Sequence, residues 1–592
     1  MLHDITSPSF SEMQSALTKE NDFNNKVNLV ILRNITIEPI EVPLRYFGSK
    51  FGLNIHCDFG SFDNAIQDTL GSSDLINENT NLVIIILPLI AFSSKLYDSY
   101  SSLSPKTINE ESNFIIQTIN SLMVGIRKKS SNAKILFHSF EKLPYPMMGI
   151  ADNELPLGQN KTINELNSNI STIISNTSNA WLIDTNTVMA RIGYDNYYDW
   201  RLWYLGRALY SRKTLQHFSH LHLDYLKSFM GLTKKCLILD CDQTLWKGVV
   251  GEDGFQGICM DSSPAGLPFQ SFQKFILTLN DRGVILALSS KNNEEDVWKV
   301  FEENSNMLIK KEHIAAHRIN WKNKPEQIQE IAKELNIHLD SIVFVDDNPF
   351  EIEMVHSAIP DVTCILLPEN SPSSYTQILQ QSGLFDQLNF TDEDRNKNKL
   401  YKAQKKRDDL KSVMNLSDYL TSLKMQVSVN HATELNIPRV SQLTLKTNQF
   451  NLTTKRYTED EIQKMLNSRD YLVWTLALSD RFSDMGIVGI AIINKTDENI
   501  FKLNTFLLSC RALGREVERA FISIILANLS KINASKLVAE YIPSSKNALI
   551  SNFLEDIDFT INDALTVAPN KVYMFSFSNQ KPLPVPSFIN IK

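Results

Sequence analysis

A short apolar stretch that ends in two carboxylates constrains the fold of this chain more than any other feature of its sequence. Residues 237–246 read Leu-Ile-Leu-Asp-Cys-Asp-Gln-Thr-Leu-Trp. The apolar run predicts a buried strand, and a tight turn after it places Asp240 and Asp242 at the carboxyl end of a parallel sheet. Open α/β folds carry their sites at that edge. One carboxylate can attack phosphorus there while the other manages the leaving-group proton, so the pair predicts phosphate chemistry.

Apolar runs of similar length alternate with helical periodicity along the chain. The alternation predicts parallel α/β sheets with right-handed crossovers in the regions 1–230 and 231–384. A third region, 424–592, contains alternating strand candidates and then a helix that starts near Gly514. The predicted strands are 29–32, 82–87, 135–137 and 181–183 in the first region, 236–239, 284–288, 342–345 and 362–367 in the second, and 425–429, 472–479, 487–494 and 501–508 in the third.

A polar helical linker, 385–423, is predicted between the second and third regions. Its basic side chains could contact a phosphate or an acidic partner, but a mixture of charges is more typical of a solvated connecting helix. We therefore predict a solvated helix. The basic residues are Lys402, Lys405, Lys406 and Arg407.

Length, composition and charge exclude several classes of protein. At about 150 residues per domain, 592 residues suggest three or four domains, and we expect three. The hydrophobic fraction of 43% and the charged fraction of 21% are those of a globular protein. The net charge of -8 comes without an extended basic face, so we expect no nucleic-acid partner.

The cysteine and apolar patterns favour a cytoplasmic location. The 6 cysteines include no C-x-x-C pair and are too few for a disulfide scaffold. The first residues lack a basic stretch followed by an apolar run, so no secretory signal is expected. The longest apolar stretch, 82–92, contains Pro88 and is much shorter than the roughly 20 residues that span a bilayer. It predicts a buried strand, and we expect no membrane association.

Three further segments of the second region supply groups that suit a phosphorylated substrate. Ser290 and Asn292 follow its second predicted strand and offer hydroxyl and amide donors to phosphate oxygens. Lys324 stands just before a predicted helix, where an ammonium can neutralise phosphoryl charge. Asp346 and Asp347 follow the third predicted strand and suit a hard Mg²⁺ ion, which prefers oxygen ligands.

In this order, the segments resemble the four motifs of the haloacid dehalogenase (HAD) superfamily: Asp-x-Asp-x-Thr, Ser or Thr, Lys, and an Asp pair. The resemblance implies that Asp240 is the nucleophile, which forms an aspartyl-phosphate, and that Asp242 is the general acid/base. It also implies that Ser290, or its neighbour Ser289, binds the phosphoryl group and that Lys324 stabilises it. The other implied ligands are Thr244 and Asn292 for the substrate, and Asp240, the backbone carbonyl of Asp242, and Asp346 or Asp347 for Mg²⁺.

The HAD site is expected to be open. About 50 residues separate the first two motifs, which is too few for a large inserted cap domain. An open site favours a bulky substrate, such as a group carried on a protein, or a neighbouring domain that acts as the lid. The glycine-rich segment 246–254 either shapes the entrance or forms a solvated turn.

The third region narrows the resemblance. Residues 443–454 form a dense run of amides and hydroxyls, which alone could be a polar loop. With the segments 479–486 and 506–515, the run resembles the C-terminal half of FkbH-like proteins, which join a capless HAD phosphatase domain to an acyltransferase-like domain. The resemblance covers about 230–560 and implies a Rossmann-like HAD domain and an α+β, GNAT-like C-terminal domain. The substrate ligands proposed in this run are Asn448, Gln449 and Asn451.

Cys510 is the candidate acyl acceptor of the third region. It ends a strand pattern beside Arg511 and before a predicted helix, and both neighbours stabilise a thiolate. The alternative is a small buried core residue, the commonest environment of a free cysteine. Arg511 is also a candidate substrate ligand. Residues 511–515 resemble the pyrophosphate loop of GNAT acyltransferases, but Arg515 replaces the small final residue, which argues against free coenzyme A and still allows a pantetheine arm.

The first region resembles the SGNH-hydrolase-like domain that precedes the HAD domain in this family. After its first strand, residues 33–36 lack the nucleophilic serine of a G-D-S motif, and residues 199–202 lack a D-x-x-H pair. We therefore predict a non-catalytic docking domain. Its aromatic and basic side chains near residue 200 either contact a partner or belong to the core; they are Trp200, Trp203, Tyr204 and Arg207.

FkbH-like proteins are associated with loading a glyceryl unit from 1,3-bisphosphoglycerate onto an acyl carrier protein for polyketide-type pathways. The resemblance implies a bifunctional glyceryl transferase and phosphatase: Cys510 takes the phosphoglyceryl group as a thioester, the HAD site removes the remaining phosphate, and the pantetheine thiol of the carrier accepts the glyceryl group. One alternative is a simple Mg²⁺-dependent phosphatase or a loader of another acid. Another is a carrier-protein docking scaffold with a vestigial HAD site. The expected partners are a small phosphorylated acyl donor and an acyl carrier protein.

Overall fold

The computed structural model describes residues 8–17, 25–391, 413–544 and 546–592, and individual residues between 400 and 411. The chain divides into two compact units, Thr6–Leu226 and Lys227–Lys592. The predicted linker lies largely outside the described residues. Among the helices that are described, none combines the length and the apolar character needed to span a lipid bilayer. The linker residues outside the description include Lys402, Lys405 and Lys406.

The first unit is built on a five-stranded parallel sheet. Its strands are β1 (Asn25–Arg33), β2 (Leu53–Phe59), β3 (Leu82–Ile86), β4 (Lys134–His138) and β5 (Ala180–Ile183). They are ordered β2-β1-β3-β4-β5. Every residue of the central β3 is buried, as the apolar pattern predicts, whereas the unpredicted β2 alternates buried and exposed residues at the edge. Burial on both faces is what makes a parallel strand readable from sequence.

Helices connect these strands and cover the sheet with apolar side chains. Helix Gln159–Ser175 buries apolar residues at helical spacing. The helices of this unit are Phe10–Leu17, Glu41–Ser49, Ala65–Leu70, Leu89–Phe92, Ser94–Asp98, Pro105–Lys129, Gln159–Ser175, Thr185–Ile192 and Trp200–Gly206, and Arg212–Phe229 leads into the second unit.

The second unit begins with a second five-stranded parallel sheet. Its strands are β6 (Cys236–Leu239), β7 (Ile285–Ser290), β8 (Ile314–Ile319), β9 (Ile342–Asp346) and β10 (Thr363–Leu366). The order β10-β9-β6-β7-β8 puts the first strand in the centre, so the residues that follow β6 emerge between the ends of β7 and β9. This Rossmann-like arrangement confirms the predicted fold class, although the edge strand β8 was not predicted.

The rest of the second unit is α+β, built on a nine-stranded mixed sheet. Its strands are β11 (Met425–His431), β12 (Phe450–Asn451), β13 (Tyr471–Ser479), β14 (Asp484–Asp497), β15 (Ile500–Leu508), β16 (Lys536–Tyr541), β17 (Thr560–Ile561), β18 (Lys571–Ser576) and β19 (Ile589–Ile591). The main order is β17-β18-β16-β15-β14-β13-β11-β19, and β12 pairs with β15. The four predicted strands are the longest antiparallel run of this sheet.

The helices of the second unit pack on both sheets and form their apolar cores. Helix Val517–Lys531 corresponds to the helix predicted to start near Gly514. Within the described part of this unit, the helices with defined bounds are Val250–Gly257, Leu267–Asp281, Glu294–Glu303, Lys324–Leu335, Pro349–Ala358, Tyr375–Gln381, Leu416–Ser422, Ile437–Lys446, Glu459–Asn467 and Val517–Lys531.

The solvated-helix prediction is wrong at Arg407, a linker residue that the structure describes. The residue is 1% exposed. Its guanidinium donates from Nε and Nη2 to the two carboxylate oxygens of Asp480, at 2.6 and 2.8 Å, and to Ser483 Oγ at 2.6 Å. A charged side chain in this position anchors the linker to the C-terminal sheet, because a bidentate arginine–carboxylate pair fixes both partners.

Candidate active site

Asp240 leaves β6 at the centre of the second sheet. Its backbone N–H donates to the carbonyl oxygen of Val345 (3.0 Å), which extends the pairing with β9 by one residue. The chain then turns through Gln243, whose φ of 53° lies in the left-handed region. Asp240 is largely buried, with 8% of its surface exposed. Strand pairing and the turn therefore fix this carboxylate at the carboxyl edge of the sheet.

Three donors hold the carboxylate of Asp242. Oδ1 accepts from the indole N–H of Trp246 (2.8 Å) and the backbone N–H of Val250 (3.0 Å), and Oδ2 accepts from the side-chain amide of Asn292 (2.8 Å). Burial raises the pKa of Asp242, although these hydrogen bonds oppose the shift. The carboxyl therefore keeps a proton more readily than an exposed aspartate, which suits a general acid/base.

Asp240, Asp346 and Asp347 form a cluster of carboxylates at the ends of β6 and β9. One oxygen from each lies within 4.8 Å of the others. Asp346 Oδ2 is buried and accepts no hydrogen bond. Burial raises the pKa of Asp346, and burial, followed by the charge of Asp240, raises that of Asp347 to about 6. A divalent cation would give Asp346 Oδ2 a partner and would favour the ionised form of both carboxyls. Clustered carboxylate oxygens are the donors that Mg²⁺ prefers, so these residues fit that ion.

Two predicted ligands at this edge contact other protein groups. Thr244 is fully buried and donates to Asp347 Oδ1 (3.3 Å), so its hydroxyl orients a carboxylate, and its contact with substrate stays a prediction. The carboxylate of Asp242 lies outside the cluster of three. Its backbone carbonyl as a Mg²⁺ ligand also stays a prediction.

Lys324 brings a buried positive charge to the same edge. It is the first residue of helix Lys324–Leu335 and is 2% exposed. Its ammonium donates to the carboxylate of Asp240 and to the carbonyl of Ser289, and it lies 3.3 Å from Asp346 Oδ2. Burial lowers the pKa of Lys324, but the two carboxylates outweigh burial and raise it. Lys324 is thus a fixed cation that can balance phosphoryl charge.

The two serines at the end of β7 face different partners. Ser289 Oγ donates to the side-chain oxygen of Gln327 (2.6 Å), whereas Ser290 Oγ accepts from the side-chain amide of Asn292 (3.1 Å). Because Asn292 also donates to Asp242, Ser290 belongs to the catalytic edge and Ser289 supports the next helix. The geometry favours Ser290 over Ser289 as the phosphate ligand.

The glycine-rich segment 246–254 supports the candidate acid/base rather than forming only a solvated turn. Trp246 is fully buried, and it donates to Asp242 together with Val250. Gly248 has a φ of 99°, a conformation that favours glycine. This role of Trp246 was not predicted, although the sequence offers a signal for it: an indole four residues after Asp242.

Cys510 lies at the opposite end of the second sheet. It follows β15 and lines a cavity of about 100 Å³, whose facing wall includes Lys235 and other residues that precede β6, β7 and β9. Asn336, directly after the helix that begins with Lys324, donates to the carbonyl oxygen of Cys510 (3.5 Å). Strand β6 separates Lys235 from Asp240 by roughly 16 Å of extended chain. The thiol and the candidate nucleophilic carboxylate therefore occupy opposite ends of the same strands.

Tyr401 is a neighbour of Cys510 that the sequence analysis did not anticipate. Both residues line the same cavity, and burial, followed by the charge of Cys510, raises the pKa of the Tyr401 hydroxyl. The ring also packs into the core of the second parallel sheet. Tyr401 therefore ties the cysteine to that core, but no sequence signal could have paired residues 109 positions apart.

The structure brings three of the four predicted third-region ligands to this cavity. Asn448, Gln449 and Arg511 line it with Cys510. Asn451 does not: its amide donates to the carbonyl of Thr447 (3.2 Å), and its side-chain oxygen accepts from two backbone N–H groups of the following turn. The side chain of Asn451 thus stabilises a turn and has no place in the cavity wall.

The turn after Cys510 differs from an open pyrophosphate loop. The N–H groups of Ala512 and Leu513 are used within the turn, where they bond to the carbonyls of Ser509 and Cys510. Arg515 is 2% exposed, and its guanidinium donates to the carbonyl oxygen of Arg511 (2.8 Å). Arg515 therefore fills and braces the loop from the inside.

The first unit places the residues named in the docking prediction on different surfaces. Trp203 is buried, with the Arg207 guanidinium 4.7 Å from its ring centre, whereas Tyr204 is 81% exposed and Trp200 is half-buried. A buried polar cluster lies after β4, where Glu141 accepts hydrogen bonds from two tyrosine hydroxyls. Burial raises the pKa of Glu141. The docking role of this unit stays a prediction.

A family model for haloacid dehalogenase-like hydrolases matches residues 261–358 of the chain. The crystal structure of the N-terminal part of protein BF1531 from Bacteroides fragilis, which contains a phosphatase domain complexed with Mg, is also similar. The two chains are 26% identical, the match covers 65% of this chain and 100% of that one, and the TM-score is 0.58. No curated protein resembles the chain closely enough to count as a match.

Weaker likenesses to acetyltransferase structures cover about a quarter of the chain. The ribosomal-protein-S18-alanine N-acetyltransferase of Escherichia coli is 14% identical over 25% of this chain and 93% of its own, with a TM-score of 0.20. The PaiA N-acetyltransferase of Thermoplasma acidophilum, in complex with coenzyme A, is 8% identical over 26% of this chain and 99% of its own, with a TM-score of 0.21. These likenesses are too weak to assign an activity. The family match, the BF1531 likeness and the carboxylate edge of β6 and β9 agree, and the chain contains a haloacid dehalogenase-like hydrolase domain.

Proposed function

We propose that the chain is a bifunctional glyceryl transferase and phosphatase that loads an acyl carrier protein. In this proposal, a phosphoglyceryl group from 1,3-bisphosphoglycerate passes through Cys510 and loses its phosphate at Asp240. The observation that carries the proposal is the presence of a cysteine cavity and a HAD edge in one compact unit, where residues that precede β6, β7 and β9 form one wall of the cavity and the opposite ends of β6 and β9 carry the edge. A phosphatase alone has no need of the cysteine cavity.

The transfer begins at the thiol. The thiolate of Cys510 attacks the acyl carbon of the mixed anhydride, so a C–S bond forms, the C–O bond to the acyl phosphate breaks, and inorganic phosphate leaves. Tyr401 lines the same cavity as Cys510, and in this proposal its hydroxyl donates a hydrogen bond to the charge that develops on the sulfur. The pantetheine thiol of the carrier then attacks the thioester and releases Cys510.

Dephosphorylation belongs to the other end of the sheet. The carboxylate of Asp240 attacks the phosphorus of the phosphomonoester, and Asp242 gives its proton to the departing alkoxide. Water then cleaves the aspartyl-phosphate, with Asp242 taking back a proton. Lys324 and Ser290 hold the phosphoryl oxygens, and Mg²⁺, when bound by the aspartate cluster, supplies further charge neutralisation.

The separation of the two ends orders these steps. A three-carbon group attached to Cys510 cannot span the roughly 16 Å of strand to Asp240. The phosphorylated group must therefore leave the cysteine before it meets the HAD edge. We propose that the pantetheine arm of the carrier makes this transit, with the phosphate removed after transfer.

Mass spectrometry of the full chain tests this function. After incubation with 1,3-bisphosphoglycerate, we expect a phosphoglyceryl adduct on the Cys510 peptide that is absent from Cys510→Ala and unaffected by Cys259→Ala, a matched control for another partly exposed cysteine. With carrier protein added, Asp240→Asn should leave phosphoglyceryl on the carrier, whereas the wild type leaves glyceryl. Absence of any adduct on Cys510 and on the carrier refutes the proposal.

A simple Mg²⁺-dependent phosphatase is the second candidate. It is favoured by the completeness of the HAD edge, which takes no residue from the cysteine cavity. In that case Cys510→Ala retains full phosphate release from every substrate of the wild type, and Asp240→Asn abolishes it.

A further inference from the structure

We infer that Trp321 is a specificity-determining residue of the HAD edge, the carboxyl edge of the second sheet around Asp240. Its indole holds the uncharged arm that extends from the phosphorylated end of the substrate, and it thereby selects an acyl group carried on pantetheine over the free acid. The inference rests on the proposed function and deepens it, because it names the residue that recognises the leaving group at this edge.

Trp321 is an exposed aromatic residue close to a candidate catalytic group. It lies three residues before Lys324 and is 71% exposed. Among residues 231–384, all of which the structure describes, the other large apolar side chains with strong exposure are Leu267 and Phe350. A single exposed indole is normal on a protein surface, so the role of Trp321 has to follow from where it lies and how it is held.

The loop that carries Trp321 is bound to strand β7. The backbone N–H of Asn320 donates to the carbonyl oxygen of Ser290 (3.1 Å). The side-chain amide of Gln327, which is fully buried, donates to the carbonyl oxygens of Asn320 (2.9 Å) and Lys322 (3.1 Å). Both neighbours of Trp321 are therefore fixed, and the exposed indole stands on a pre-organised backbone.

The indole ring is also held directly. Its Nε1 donates to the side-chain oxygen of Asn293 (3.3 Å), and the side-chain amide of Asn293 donates to Asp296 Oδ2 (3.2 Å). Asn293 directly follows Asn292, which donates to Asp242. The ring is therefore tied to the loop that positions the candidate acid/base.

The geometry of phosphoryl transfer brings the leaving group to this side of the edge. The attacking and leaving oxygens lie roughly in line on opposite sides of phosphorus, so the organic group points away from Asp240 and toward solvent. Asp242 must reach the leaving oxygen to protonate it, and Asn292 holds Asp242 from the β7 side. The organic group therefore passes over the loop that continues into Asn293, where Trp321 is held.

Phe350 is a second exposed ring near the edge, but it lies on the metal side. It comes three residues after Asp347, at the end of β9, and β9 and β8 lie on opposite sides of β6. An arm that leaves beside Asp242 therefore meets Trp321 and not Phe350.

The charges next to the ring favour an uncharged arm. Three consecutive acidic residues follow Asn293 in the first turn of the next helix, where they offset the positive end of that helix. The ammonium of Lys322, beside Trp321, is bound to Glu330 Oε1 (2.8 Å). A free carboxylate on the organic group would meet like charge here, whereas a thioester has lost that charge. The acidic residues are Glu294, Glu295 and Asp296.

Phosphate release from two substrates with the same scissile bond tests this role. They are 3-phosphoglycerate and its thioester with pantetheine, which differ only in the arm and in the carboxylate charge. The full chain carries Cys510→Ala, so that the thioester cannot acylate the cysteine, and Asp240→Asn gives the background rate. With Mg²⁺ present, we expect kcat/KM for the thioester to exceed that for the free acid roughly tenfold or more, because covering one face of an indole removes enough apolar surface from water for an effect of that size.

The variants identify the residue that binds the arm. Trp321→Ala is expected to lower this ratio of kcat/KM values about tenfold, with the loss in KM for the thioester and not in kcat. Trp321→Phe keeps an aromatic face and should retain most of the ratio, and Phe350→Ala, the matched exposed ring on the other flank, should keep the wild-type ratio. An unchanged melting temperature shows that each variant is folded.

Several outcomes would overturn the inference. They are a ratio near one in the chain without the Trp321 change, no release from the thioester, an unchanged ratio in Trp321→Ala, and an equal fall of the ratio in Phe350→Ala. A loss of kcat that is the same for both substrates would assign Trp321 to the shape of the catalytic loop and would also overturn it. Because the thioester is supplied preformed, failure to find an adduct on Cys510 refutes the proposed function independently of this result.

Discussion

At the scale of single residues, Asp242 is defined by the donors that surround it. Trp246, Val250 and Asn292 each supply one hydrogen bond, so the carboxyl cannot rotate without losing a partner. The motif order was enough to predict that Asp240, Lys324 and Asp346 meet, because strand ends of a parallel sheet share an edge. It was not enough to find Trp246 or Tyr401, because their contacts depend on side-chain packing that no spacing rule encodes.

The indole of Trp246 gives the first prediction. Trp246→Phe keeps the aromatic volume and removes one hydrogen bond to a carboxylate, an interaction worth about 1.5 kcal/mol or more. We expect kcat for phosphate release to fall about tenfold, with KM nearly unchanged, in steady-state assays. Trp298→Phe is the matched control, because its indole bonds to Glu294 (3.1 Å) on another helix. Equal losses in the two variants would contradict the assignment.

At the scale of elements, strands that are buried throughout were easier to predict than several strands of mixed burial. The central strands β3 and β9 are buried throughout and were predicted from their apolar runs. The strands β2, β8 and β16 mix buried and partly exposed residues, and none was predicted, because their short alternation resembles a loop or a helix face.

The linker contact with β13 and β14 supports a second prediction. Arg407→Met leaves the carboxylate of Asp480 buried with fewer partners, and breaking a buried pair from one side costs about 3–5 kcal/mol. We expect that decrease in the free energy of unfolding of the second unit, measured by urea denaturation. Arg481→Met is the control, since Arg481 is exposed and should change stability by less than about 0.5 kcal/mol.

A buried histidine pair between β4 and helix Arg212–Phe229 supports a third prediction. His138 and His222 share an Nε2–Nε2 contact of 2.7 Å, and burial lowers the pKa of both, that of His222 to about 3. Below about pH 6.5 the unfolded chain binds protons that the folded unit does not, so stability falls as pH falls.

Calorimetry of the full chain between pH 6.5 and 4.5 measures this effect. We expect the transition of the first unit to lose up to about 1.4 kcal/mol per pH unit for each of the two histidines, and His222→Leu to lose about half of that dependence. His56→Leu removes an exposed histidine of the same unit and should leave the slope as in the wild type. An unchanged slope in His222→Leu would show that the pair does not cause the acid sensitivity.

At the scale of the whole molecule, the two candidate sites of the second unit lie at opposite ends of its parallel sheet. The helix from Lys324 to Leu335 also reaches from one site to the other: Lys324, its first residue, contacts Asp240, and Asn336, directly after its last residue, contacts Cys510. The twelve residues of this helix correspond to a length of about 18 Å, which agrees with the roughly 16 Å of extended chain between Lys235 and Asp240. Candidate residues for both sites were named from the sequence, but their placement at opposite ends was not, because the motifs say nothing about how the C-terminal sheet packs on the HAD sheet.

Metal binding gives the fourth prediction. At 100 times its Kd, Mg²⁺ should raise the free energy of unfolding of the second unit by about 2.7 kcal/mol, because it neutralises the clustered carboxylates. Asp346→Asn should remove most of this gain, and phosphate release should stop in EDTA and return with Mg²⁺. Asp361→Asn changes an exposed aspartate in the turn before β10 and should keep the full gain. A gain that survives in Asp346→Asn would place the ion elsewhere.

The placement of Cys510 behind the strands that end at Asp240 also has a chemical consequence. Turnover of an aspartyl-phosphate requires a water molecule activated for attack, and the same water would hydrolyse a thioester within its reach. With the length of β6 between them, the activated water and the thioester never share a solvent pocket. In the proposed cycle, this separation protects the captured acyl group from loss by hydrolysis, so that few donor molecules are wasted for each one loaded.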